Sequence, residues 1–166
     1  MELDSYLLDT NIVVDALSAD ILNKLFIPQF KVLRIVLLEE IKKQIKDFNI
    51  NSNNILNETY EEITEAFNLS KTKKNISYYD ALNLIVASKR KMILVTGDQL
   101  LIKNAKEFGV TCFGTIKLFK LLLENNYINI NECETSLRKL KEDKKRRIPE
   151  KLIDIFLEEL NKEKIY

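Results

Sequence analysis

Four acidic residues stand where the chemistry of this chain has to come from: Asp9, Glu40, Asp80 and Asp98. The other common catalytic groups are missing. No histidine occurs in the 166 residues, which removes Ser-His-Asp and Cys-His catalysis, HExxH zinc sites and histidine general bases. The two cysteines, Cys112 and Cys133, lie 21 positions apart, so the chain holds no zinc ribbon and no CxxC redox pair; both are expected to be buried thiols. The three glycines, Gly97, Gly109 and Gly114, allow neither GxxxxGK[ST] nor GxGxxG. Two carboxylates at ~4 Å repel by roughly 4 kcal/mol at an effective dielectric of 20. A gathered set of them therefore calls for a hard divalent cation, and oxygen-only ligands suit Mg²⁺ or Mn²⁺. Such an ion lowers the pKa of bound water and steadies the leaving oxygen of a phosphodiester.

The elements that must position these acids follow from periodicity. Residues 3–8 read as a strand ending at Asp9, and 11–26 as a helix, with Val13, Val14, Leu17, Ile21, Leu22 and Leu25 at helical spacing until Pro28. A second strand is expected over 32–36, then a helix over 37–48 with Leu37, Ile41, Ile45 and Phe48 on one face. Residues 49–57 hold five asparagines and read as a loop. A helix over 58–68 is expected to bury Tyr60, Ile63 and Phe67, and 71–76 forms a polar connection. Ser77 opens an apolar helix over 78–89, a doubly buried strand follows at 92–96, and a helix over 99–108 is closed by Gly109. One more strand is expected at 110–113. Helices are expected over 115–125, 132–142 and 149–161, the last with Pro149 at its first position. Its face of Leu152, Ile153, Phe156, Leu157 and Leu160 is expected to dock on the same domain. The alternation predicts an α/β fold with a mainly parallel sheet between helices.

On that scaffold the acids converge. Asp9 and Asp98 follow the carboxyl ends of two strands. Glu40 lies in the first turn of the helix after the second strand, and Asp80 begins the helix that returns to the 92–96 strand. All four project to the rim where open α/β sheets place their sites. Each also has a plain structural reading: Asp9 and Asp98 as helix N-caps, Asp80 as part of a Ser77–Asp80 capping box, Glu40 as a charge suited to a helix N-terminus. Caps scatter over both edges of a sheet, however, and these gather on one. Taking Ile41 as the centre of the buried face, Glu40 lies about 100° away and Glu39 about 160° at 100° per residue, so Glu40 can turn into a cleft and Glu39 points to solvent.

With those residues in place, the chain resembles the PIN-domain family of metal-dependent ribonucleases. The likeness runs over 3–115 through LLDTN (7–11), LLEEI (37–41), SYYDALNLIVA (77–87) and LVTGDQLL (94–101), then AKEFGV and Gly114-Thr115, with 18 positions between Asp80 and Asp98. It implies a PIN-like three-layer α/β/α sandwich with a central, mainly parallel sheet. The chain would then divide into a nuclease core over 1–115 and a C-terminal helical extension over 116–166 packed on the same domain, longer than in compact toxins of the family. The family's acidic quartet falls on Asp9, Glu40, Asp80 and Asp98, with Asn11 and Thr96 at supporting positions. The activity implied is hydrolysis of single-stranded or loop RNA with one or two Mg²⁺ or Mn²⁺ ions. Where some members carry a further acid after the last aspartate, this chain has Gln99, Leu100 and Leu101. Many small prokaryotic members resemble toxins of toxin–antitoxin pairs, and many dimerise, which implies an antitoxin protein as partner and a homodimer.

On this reading Asp9, Asp80 and Asp98 hold the metal and Glu40 completes the set directly or through water. Lys71, Lys73 and Lys74 lead into the Asp80 helix and are expected to contact RNA phosphates. Lys89, Arg90 and Lys91 end that helix at the far edge of the sheet and are not assigned to substrate. The run over 138–147, with seven basic and two acidic residues, is expected to be a solvated face. Two rivals remain. A phosphatase using Asp9 as nucleophile would favour a second aspartate where Asn11 stands. A non-catalytic PIN-like module would bind RNA or protein without cutting. Composition agrees with a globular chain: 46% apolar, 31% charged, net charge +1. No apolar run approaches the roughly 18–20 residues of a bilayer span, and the acidic N-terminus lacks a signal-peptide layout, so no membrane association and a cytoplasmic location are expected.

Overall fold

A computed structural model describes residues 4–34, 52–146 and 148–163 of the chain. Five short strands form one sheet: β1 (Tyr6–Leu8), β2 (Phe30–Leu33), β3 (Ile55–Leu56), β4 (Ile93–Val95) and β5 (Cys112–Phe113). Their order is β3-β2-β1-β4-β5, and every pairing is parallel, with Tyr6 opposite both Phe30 and Ile93 and Leu94 opposite Cys112. Leu7, Leu8, Val32, Leu33, Leu94 and Val95 are all buried, which is why these segments read as continuous apolar runs: a parallel sheet is covered on both faces. Seven helices are described: α1 (Thr10–Ser18), α2 (Tyr60–Thr72), α3 (Tyr78–Lys89), α4 (Gln99–Glu107), α5 (Thr115–Glu124), α6 (Ile130–Glu142) and α7 (Glu150–Glu163).

Several local expectations need correction. The single helix expected over 11–26 is broken: α1 ends at Ser18, Asp20 takes a left-handed conformation (φ 61°), and a 3-10 turn follows at Leu22–Leu25. The apolar spacing survives because Ile21, Leu22 and Leu25 still enter the core from the turn. The asparagine-rich loop hides strand β3. Asn54, 2% exposed, donates through Nδ2 to the carbonyls of Ile27 and Phe30 at 2.7 and 2.9 Å, satisfying backbone groups beside β2 and seating the two-residue strand that follows. The helix expected over 37–48, and Glu39 and Glu40 with it, lies outside the described residues.

The largest correction concerns α2. Tyr60, Ile63 and Phe67, expected as its buried face, are 85%, 39% and 53% exposed, and Glu62 and Ala66 are buried instead. The helix turns a stripe with a small residue and a carboxylate toward α3. Glu62 tolerates burial because Arg90 forks onto it, Nε to Oε1 and Nη2 to Oε2 both at 2.7 Å, while the Thr59 N–H donates to Oε2 at 2.7 Å. The bidentate geometry holds the Glu62 carboxyl below its ordinary range. Lys89 adds contacts of 2.7 Å to both Glu61 and Glu65, so the basic end of α3 is taken up by α2.

The last three helices share one core with the sheet: Leu118, Phe119, Leu122, Leu137, Leu140, Ile153, Phe156, Leu157 and Leu160 are buried. Leu152, expected on the docked face of α7, is 48% exposed and stands beside exposed Ile155. A hydrogen bond and two ion pairs tie α1 and the turn after it to this region: Ser18 donates to Asp143 Oδ2 at 2.5 Å, Lys139 reaches Asp20 at 3.0 Å and Lys24 reaches Glu132 at 3.3 Å. Buried Asp15 accepts from the Thr115 hydroxyl at 2.9 Å with Arg146 at 3.7 Å. Burial nevertheless raises its carboxyl above the usual range. Cys133 is buried and Cys112 half-buried, and neither is in a disulfide.

Candidate active site

The strand order reverses between β1 and β4, and the residues leaving these two strands build the site. β1 ends at Leu8, and Asp9 leaves it by donating its backbone N–H to the Val95 carbonyl at 3.0 Å. Asp9 is then the N-cap of α1: its Oδ1 accepts from the Thr10 N–H at 2.7 Å. Its Oδ2 accepts from the Thr96 hydroxyl at 2.8 Å, a bond across 87 positions of sequence. Thr96 is wholly buried and follows β4 directly. Its Oγ1 also accepts from the Asp98 N–H at 3.1 Å, so one hydroxyl fixes the acid of one strand end and the backbone carrying the acid of the next.

Asp98 caps α4, its Oδ1 taking the N–H groups of Leu100 and Leu101 at 2.8 and 2.9 Å. Asp80 lies in the first turn of α3. Ser77, the cap of that helix, accepts from the Asp80 N–H at 3.1 Å and donates its hydroxyl to Asp80 Oδ2 at 2.6 Å. The plain readings of Asp9 and Asp98 are correct as far as they go, since both cap helices; Asp80 instead accepts from the Ser77 hydroxyl and not from its backbone N–H, so the expected capping box is half formed. These readings do not account for what surrounds Asp9, which is 3% exposed. Burial, joined by the negative charges of Asp80 and Asp98, raises its carboxyl from 3.8 to about 6, against the opposing hydrogen bonds from Thr96 and Thr10. Asp9 therefore feels both Asp80 and Asp98 at the strand-order reversal, in the crevice where a doubly wound sheet places its ligands.

Asn83 belongs to the same crevice and went unread in the sequence. It is wholly buried, its Nδ2 lies 3.4 Å from Asp9 Oδ1, and its own Oδ1 has no hydrogen-bond partner. The signal was present: Asn83 is the one polar residue in the buried stretch 81–87 of α3, and it stands three positions after Asp80, on the same helix stripe. Asn11, by contrast, is exposed in the first turn of α1. Glu40 lies outside the described residues. Among the described residues no group of three or more His, Cys, Asp or Glu side chains is arranged to hold a metal ion. The donor set at the crevice is all oxygen, the carboxyl of Asp9 is raised by burial and by the charges of Asp80 and Asp98, and a buried carbonyl oxygen beside it lacks a donor. That chemistry fits a hard, hydrated divalent cation.

The basic residues divide. Lys73 is paired with Glu107 and lies over the Phe108 ring, and Lys71 stands over Phe67 at 5.2 Å. Lys74 is exposed. In the 138–147 run Lys139, Lys141 and Lys144 form solvent-exposed ion pairs with Asp20, Asp154 and Glu150, and Arg146 lies near buried Asp15, so much of the charge of the run is met by acids of the same chain. No described helix is long and apolar enough to cross a membrane.

Compared with known proteins, the chain matches a family model, DUF3368, described as a PIN domain, over residues 14–162. The match runs through the helices after 115 that the sequence motifs did not reach, and it begins after Asp9. No curated protein and no solved structure matches.

Proposed function

The chain belongs to the PIN-domain family, with the α/β/α sandwich of that family built on an all-parallel sheet, and on this premise we propose that it is a metal-dependent endoribonuclease. It hydrolyses phosphodiester bonds of single-stranded or loop RNA. The observation that carries the reading is the Thr96 hydroxyl, which fixes Asp9 and the Asp98 backbone together at the point where the strand order reverses, with Asp80 close enough to act on Asp9.

Asp9, Asp80 and Asp98 would hold Mg²⁺ or Mn²⁺, with Glu40 completing the set. The ion supplies charge neutralisation among these acids, activation of water and stabilisation of the leaving oxygen. The chain's own residues do the positioning. Thr96 and the Thr10 N–H hold the Asp9 carboxylate in one orientation. Ser77 does the same for Asp80, and the α4 N–H groups occupy Asp98 Oδ1 and leave Oδ2 without a partner among the described residues. Hydrolysis adds the elements of water across the P–O bond and leaves 5′-phosphate and 3′-hydroxyl ends. Lys71 in the last turn of α2 and Lys74 beyond it approach substrate phosphates, together with Lys73, whose charge is shared with Glu107. The core over 1–115 and the helical extension over 116–166 act as one unit, a reading supported by their shared interior. Assignment as the toxin of a toxin–antitoxin pair, cytoplasmic, homodimeric and bound by an antitoxin protein, is supported by the likeness of its motifs to small prokaryotic members.

The test is incubation with a labelled structured RNA in Mn²⁺, beside EDTA and an Asp9→Asn control. Cleavage by the wild type with metal, and by neither control, supports the reading. Binding of RNA without cleavage by folded protein, over several RNAs, moves it to a non-catalytic PIN-like module.

A further inference from the structure

Helix α3 buries seven consecutive residues, 81–87, and six of them are apolar. Asn83 interrupts the run. A buried amide group left without a partner is destabilising, and here one polar atom is unpartnered while the other makes a bond of 3.4 Å, at or beyond the long end of the N–H···O range. In the structure as it stands, an apolar side chain of similar size would serve the fold at least as well. Asn83 faces Asp9 rather than the apolar interior, and it shares a helix stripe with Asp80. Its amide orientation follows from its neighbour: turned the other way, a carbonyl oxygen would face the Asp9 carboxylate, acceptor against acceptor.

Resting on the nuclease reading above, we propose that Asn83 is a positioning residue of the acidic site, whose Nδ2 steers the Asp9 carboxylate and whose Oδ1 accepts a hydrogen bond from a water carried in with a hydrated divalent cation. The unmet hydrogen-bonding capacity is then met only when the site is filled. Groups that orient a ligand from behind are worth 10–100-fold in metal affinity.

The experiment uses the full chain and Mn²⁺ alone as probe. Mn²⁺ affinity is measured by titration calorimetry and metal-free Tm is measured in EDTA, for wild type, Asn83→Leu and Asn83→Ala. The expected result is a metal-free Tm for Asn83→Leu at or above that of wild type, with Mn²⁺ affinity weakened at least 10-fold. Asn83→Ala, which leaves room for a water, is expected to weaken affinity less. Affinity within threefold of wild type in folded Asn83→Leu overturns the proposal, as does early unfolding of both variants, which would make Asn83 a packing residue. RNA cleavage and Mn²⁺ binding by wild type, unchanged in Asn83→Leu, would remove this inference and leave the nuclease reading standing. Failure of the wild type itself to bind Mn²⁺ would remove both.

Discussion

Replacing Asp9 by asparagine should stabilise the metal-free protein at neutral pH, although the substitution removes a buried, hydrogen-bonded acid. The carboxyl of Asp9 titrates near 6 in the folded protein, up from 3.8, because it is buried and faces Asp80 and Asp98. A raised pKa means that the folded state holds this proton more tightly than the unfolded chain. The resulting stability is complete below about pH 4 and is lost as pH rises through 6. A gap of roughly two units corresponds to about 3 kcal/mol at pH 8. Asparagine retains one oxygen acceptor for Thr10 or Thr96 but not both, a loss of about 1 kcal/mol. Asp9→Asn should therefore be more stable than wild type by about 2 kcal/mol at pH 8 and less stable by about 0.5 kcal/mol at pH 4. Urea unfolding in EDTA across pH 4–8 reads the difference directly, and the crossover should fall between the two pKa values. Adding Mn²⁺ at pH 8 should restore wild type and leave the variant unchanged. A stability difference that stays constant with pH, or that favours wild type increasingly as pH rises, would refute the claim that Asp9 is held against its preferred charge state.

Other outcomes follow from the same geometry. At Mn²⁺ concentrations 100 times the dissociation constant, wild type should gain about 2.7 kcal/mol, seen as a rise in Tm by differential scanning fluorimetry; Asp98→Asn should reduce that rise. Arg90→Ala strands the buried Glu62 carboxylate and should cost about 3 kcal/mol in denaturant titrations. Arg90→Lys cannot reproduce the two-pronged hydrogen bonding and should recover less than half. Because Glu62 is held below its ordinary range, the Glu62–Arg90 contribution is present at neutral pH and fades as pH falls through the lowered value, so the penalty of Arg90→Ala should shrink in acid. Neutralising Lys71 and Lys74 together should weaken RNA binding and flatten its salt dependence by about 0.7 log units for each phosphate the lysines had neutralised. Neutralising Lys144 and Lys145, in the ion-paired run, should change RNA affinity less than twofold by filter binding.

What the sequence made legible were features where one residue type serves one local rule. Asp9 and Asp98 announce themselves because an acid between an apolar strand and a helix is in place to cap that helix, and the structure finds both as N-caps. Ser77 and Asp80 mark the start of α3 for the same reason. Legibility failed where a tertiary partner overrides the local pattern. The face of α2 is misleading because Glu62, polar by type, is buried by a fork from a residue 28 positions away, while the apolar Tyr60 is left outside. β3 escapes because two residues of strand cannot show a period, and the Asn54 side chain that seats them looks like loop composition. Asn83 escapes because its meaning depends on Asp9, which comes from the other end of the motif order.

The strand that ends in Asp9 sits at the centre of the sheet although it is the first described strand of the chain. Its neighbour on one side, β2, follows within a few dozen residues, but its neighbour on the other, β4, brings Thr96 from 87 positions downstream. At roughly 5–20 residues per second of ribosomal synthesis, about 4 to 17 s separate the appearance of the two. During that interval the nascent chain carries the first acid of the crevice at the end of a strand with one open edge. Parallel pairings between distant segments also form late, once the long loop between them has closed. No chain released early or clipped before β4 can assemble the acidic crevice, so whatever the crevice does begins only after β4 and the Asp98 cap beyond it have been made.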